Sequence, residues 1–162
     1  MAYNDGVIGV DLDATVAGTG TSSNEGNDFE VGKCVTASDG QKYMYVHASA
    51  AIAQYDVVGI SETFEAAPLT KAMADDGWFV GAAQVAFADN DFGWVCVGGV
   101  AEINVLASCA PDVALCTSGT AGKLDDDTTS QTKIDGIVQV DAAVTSAANT
   151  TALMTFPRSA SF

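Results

Sequence analysis

One histidine, four cysteines, two tryptophans and 21 acidic residues are the side chains of this 162-residue chain best suited to chemistry. A hydrolytic triad needs a base, and His47 is the single imidazole. It lies in the strand-like run "KYMYVHA", where a surface or half-buried β position is expected for it rather than a catalytic one. No nucleophile elbow, Walker loop or dinucleotide fingerprint occurs, and "GTGTSSNEG" has no lysine to reach a phosphate. Cys34, Cys96, Cys109 and Cys116 fall at irregular spacings without a C-x-x-C pair, which predicts buried free thiols and no zinc site. Two acidic clusters, "DNDFG" (89–93) and "LDDDTT" (124–129), offer oxygens to a hard cation. Asp89, Asn90 and Asp91 miss the alternating spacing of a calcium loop and its distal glutamate, so a polar turn is expected and no metal or cofactor. Carboxylate pairs for glycoside hydrolysis carry no weight among so many acids, because some pair always lies close. Trp78 and Trp94 follow "DDG" and "FG" at loop-to-strand corners. Exposed there, they are candidate glycan platforms; buried, they plug the end of a barrel.

The elements that must position these residues read as β throughout. Nearly half the residues are apolar, 17% are charged, and small residues dominate, which suits thin strands and tight turns. From residue 39 onward turn signals alternate with apolar runs, the spacing of an all-β sandwich or barrel. Strands are expected at 43–48, 56–60, 64–69, 79–86, 92–97, 101–106, 113–116, 134–141 and 152–156, with one loose helical turn in "LTKAMADD". The net charge of −15 leaves six scattered basic residues, with no cluster for nucleic acid or an anionic membrane surface. No apolar stretch reaches spanning length and "MAYNDGVIGVDLD" lacks a leader pattern, so assembly in a cytoplasm is expected.

Residues 1–30 differ from the rest. "AGTGTSSNEGND" has little to bury and reads as part of an extended N-terminal arm, which stays ordered only against something. Tyr3, Val7, Ile8, Val10 and Leu12, with Phe29 at the edge of the body, are its candidate docking residues. Within the body, 31–162, the chain echoes itself with a period of about 55 residues, between roughly 43–90 and 94–145. Asp56-Val57-Val58 matches Asp112-Val113-Ala114, Leu69 matches Leu124, and "VGAAQV" matches "DGIVQV". Two copies predict two similar halves packed face to face or closed into a barrel, with the repeated glutamine facing water.

The phrases "DGQKYMYVHASAAIAQYDVVGI", "PLTKAMADDGWFVGAAQVAFADNDFGWVCVGG", "CAPDVALCTSGTAGKLDDD" and "KIDGIVQV", in this order, resemble the capsid decoration (cement) proteins of tailed bacteriophages. The resemblance covers about three-quarters of the chain, from Asp39 to Arg158, and leaves the arm unmatched. It implies a compact β-rich domain without enzymatic activity, bound outside a mature icosahedral head at joints between major capsid proteins. The partners it implies are the major capsid protein and, through capsid symmetry, copies of the chain itself as a dimer or trimer. Two rivals are a carbohydrate- or host-surface-binding β-module using Trp78 and Trp94, and a small hydrolase working with acids alone.

Overall fold

The computed structural model describes residues 10–18, 29–127, 129–141, 146 and 148–160. In chain order they form β1 (Thr15–Ala17), β2 (Cys34–Thr36), β3 (Lys42–Ala48), β4 (Val57–Ile60), β5 (Glu65–Pro68), α1 (Lys71–Asp75), β6 (Phe79–Ala83), β7 (Asp91–Val105), β8 (Leu115–Thr117), β9 (Leu124–Asp125), β10 (Lys133–Gln139) and β11 (Ala148–Ser159). The fold is all-β, as the spacing of turns and apolar runs predicts. The expected helical turn is α1, started by Thr70, whose hydroxyl accepts the Met73 N–H.

All eleven strands join one hydrogen-bonded sheet that closes on itself twice. The first ring pairs β3 with β5 in parallel, then runs antiparallel through β4, β6 and β7 back to β3. The second pairs β7 with β9 in parallel, then runs antiparallel through β8, β10 and β11 back to β7. The order of pairings is the same in both rings, and β7 belongs to both. The stretches that echo one another in sequence run through corresponding strands: "VVGI" and "LCT" follow the two aspartates as β4 and β8.

The handover occurs at Gly98-Gly99. Lys42 of β3 lies opposite Gly98 on one edge, while Thr155 and Met154 of β11 lie opposite Gly98 and Gly99 on the other. Gly99 has φ +101, and a Cβ there would stand 3.0 Å from the Gln41 Cα. A glycine pair in sequence reads as a break, so 92–97 and 101–106 look like separate strands. They are instead one strand kinked at a residue that only glycine fills without strain. β1, β2 and β9, of two or three residues each, are absent from the sequence reading, whereas β8, equally short, overlaps the expected 113–116 run.

Val46, Val58, Ile60, Ala66, Ala83, Val95 and Val97 fill the first ring, with Ile52 and Phe87 packed against them. Ile103, Val105, Leu115, Leu124, Ile134, Ile137 and Met154 form the core of the second. The same cluster continues over the other face of the first ring through Tyr43, Tyr45, Phe92, Trp94 and Cys96. Strands buried on both faces explain why β4 reads "VVGI" without alternation. Val10, Leu12, Val16, Phe29, Val31 and Val35 pack against this cluster, Phe29 on the Tyr45 and Trp94 rings, and β1 pairs with Asp91–Gly93 of β7. The described part of the N-terminal arm is therefore laid on the chain's own body.

Candidate functional site

The side chains suited to chemistry are built into the scaffold. His47, on β3, is half-buried with its ring 4.6 Å from that of Phe92 and its Nδ1 buried. Trp94 is 2% exposed, its ring 4.9 Å from Tyr45 and 5.3 Å from Phe29. This corrects its candidacy as a glycan platform, because a ring packed on both neighbours offers no face to a sugar. Trp78, past the end of α1, keeps partial exposure. Cys96, Cys109 and Cys116 are buried free thiols, whereas Cys34 lies exposed on the edge strand β2, where an alternating strand turns it outward. Burial pushes the Cys96 thiol up to about 11, and does the same to Cys109 with help from Asp126 and Asp125.

The two acidic clusters close turns. Asp91 Oδ2 accepts the Ala88 N–H at 2.8 Å while Asn90 takes a left-handed φ of +67, so "DNDFG" is a tight turn. Asp127 Oδ1 accepts the Thr129 N–H at 2.8 Å, which holds its carboxyl below the usual range. Cys109 Sγ and carboxylate oxygens of Asp125 and Asp126 lie within 4.8 Å of one another. Two carboxylates and a buried thiol raised in pKa do not suit calcium, which takes six or more oxygens. Asp125 itself is raised, first by burial and then by its acidic neighbours.

Asp56, Gln84 and Asn104 do work that the sequence reading does not assign. The Asp56 carboxylate accepts the Asn104 amide at 2.9 Å and the Ala53 N–H at 3.2 Å. Around it, Val57 N–H donates to Gly122 O and Asn104 N–H to Tyr55 O. Gln84 Nε2 donates to Glu102 O at 3.0 Å, and Gln84 Oε1 accepts the Glu102 N–H at 3.2 Å. These bonds tie one ring to the other. Gln139, the echo of Gln84, is fully buried and donates to Cys109 O and Asp141 O. The repeated glutamine therefore does not face water: its amide serves main-chain groups that the strands leave over.

What the surface offers is an apolar face. Among the described residues six large apolar side chains are exposed, and Phe79, Val100, Val140, Leu153 and Phe156 lie on or beside the outward side of β10, β11 and the second half of β7. Register puts Val138, Leu153 and Val100 in one row across those three strands. Toward one end of the strands stand Lys42, 5.1 Å above the Phe156 ring, and Arg158 opposite Phe79. Toward the other stands Glu102, whose carboxylate accepts from Asn149 Nδ2 at 2.7 Å and the Thr151 hydroxyl at 3.1 Å. The signal for this face is in "TALMTF", where inward Ala152 and Met154 alternate with an outward leucine that a solvated strand does not need.

Of the arm's candidate docking residues, Val10, Leu12 and Phe29 are half-buried against the chain's own core, and Tyr3, Val7 and Ile8 lie outside the described residues. Among the described residues no helix is long and apolar enough to cross a membrane. No protein-family model matches the chain, and a search of curated proteins finds no relative.

Proposed function

We propose that this chain is a non-enzymatic structural protein of a phage particle, bound to the outside of the capsid at joints between major capsid proteins. The observation that carries the reading is the double ring. Two closed β-rings share one continuous strand and are tied across their seam by Asp56, Gln84 and Asn104. Such a block resists shear, because its strands cannot slide without breaking closed ladders on both sides. The resemblance of its sequence phrases to decoration proteins supports the same conclusion. So does the use of His47, Asp91 and Asp127 as packing and turn-forming groups. An acidic body also keeps clear of packaged nucleic acid. The test is quantitative mass spectrometry of gradient-purified virions from the source lysate. A ratio to the major capsid protein near unity, or a simple fraction of it, supports the reading. Absence from virions ends it and brings Trp78 and glycan binding forward.

A further inference from the structure

We propose that the outward face of β10, β11 and the second half of β7 binds a second copy of this chain across a two-fold axis. The partner is argued from charge and register. The chain carries −15, so most of its surface repels a copy of itself. This face does not. Of 21 acids only Glu102 and Asp135 belong to the three strand segments, and Asp135 is already paired with Lys133 at 2.8 Å. Asp39 and Asp141 stand in the flanking turns. Lys42 and Arg158, two of the six cations, form no ion pair among the described residues.

The arrangement is self-complementary. In strand rows the order is Val140–Thr151–Glu102, then Val138–Leu153–Val100, then Thr155–Gly98–Lys42, then, past a register shift in β10, Asp135–Arg158–Phe79. A two-fold axis lying along the Val138–Leu153–Val100 row lays that row on itself and reverses the strand direction. The cationic end of one copy then covers the Glu102 end of the other, twice by symmetry. An interface that pairs each patch with its own copy is the commonest closed assembly. Apolar side chains at the centre and charges at the rim are the usual anatomy of such a contact. Glu102 is held in place by Asn149 and Thr151, so it offers a fixed acceptor to an incoming cation.

The experiment is sedimentation equilibrium of the purified full chain over a range of concentrations. Wild type is expected to sediment as a dimer. Leu153→Glu, at a position 47% exposed, is expected to give a monomer with unchanged circular dichroism. Lys42→Glu and Glu102→Lys should each weaken the dimer about tenfold, through two symmetry-related contacts. Both changes in one chain should restore it, because each copy then offers the reversed pair. A monomeric wild type, or a dimer that Leu153→Glu leaves intact, overturns the proposal. A double variant no tighter than the singles overturns the two-fold arrangement. Should wild type be monomeric and Leu153→Glu lose binding to capsid shells, the face belongs to the shell and the proposal fails, while the capsid reading stands.

Discussion

At the scale of single residues, the acids of this chain divide by what holds them. Lys71 and Thr132 hydrogen-bond the Asp75 carboxyl and lower its pKa, and Thr129 and Thr151 do the same for Asp127 and Asp141. A carboxyl lowered on folding stabilises above its unfolded value near 3.8, and that stability is lost as pH falls through the folded value. Asp125 works in the opposite direction. Burial raises it, so folding loses stability as pH rises from the unfolded value through the folded one. Asp125→Asn is therefore expected to stabilise the protein at pH 7 and to change nothing below pH ~3, where the aspartate is protonated in both states. Urea unfolding at the two pH values measures this; a gain that persists at the lower pH would show that charge is not the cause. His47 is the residue best foreseen, since "KYMYVHA" forms β3 and leaves its ring half-buried. Trp94 was legible only as a corner residue, because which side of a corner is buried depends on Phe29 and Tyr45, distant in sequence.

At the scale of elements, β7 decides the architecture. Its first half closes one ring and its second half the other, and the kink between them is at Gly99. Gly99→Ala meets two obstacles, a left-handed φ and a Gln41 Cα at 3.0 Å, and is expected to cost about 1–3 kcal/mol in urea unfolding. Gly40 supplies the control. It has φ +88 but open space around its Cβ position, so Gly40→Ala should cost only the backbone part, about 1 kcal/mol. Equal losses at the two sites would mean that the close approach to Gln41 does not constrain the kink. The longer strands were visible in sequence through their β-branched and aromatic runs. Their joining at Gly98-Gly99 was not, since two glycines give no local sign of whether the chain turns or merely bends.

At the scale of the whole molecule, 21 acids against six bases surround a small apolar block. Like charges on a compact body oppose folding, and salt screens them. Raising sodium chloride from about 0.01 M to about 0.5 M is expected to increase the melting temperature by on the order of 5 °C. A flat or falling melting temperature would mean that local hydrogen bonds to the carboxylates outweigh the general repulsion. The same screening acts at the proposed two-fold contact in the opposite sense, weakening Lys42 against Glu102 while relieving the repulsion between bodies. Comparing the dimer's salt dependence in wild type and Lys42→Glu separates those two effects.

The sequence by itself determined the all-β class, because turn signals and strand-forming runs are local and repeat at short intervals. It also determined the acidity and the internal echo, both properties of composition and order. Ring closure, the shared strand and the apolar face were decided only by the tertiary structure. Each depends on which edges meet across long sequence separations: β3 with β5 and β7, or β11 with both β10 and β7. A side chain such as Leu153 is apolar in either case, and only the closed ring turns it away from the core to the surface.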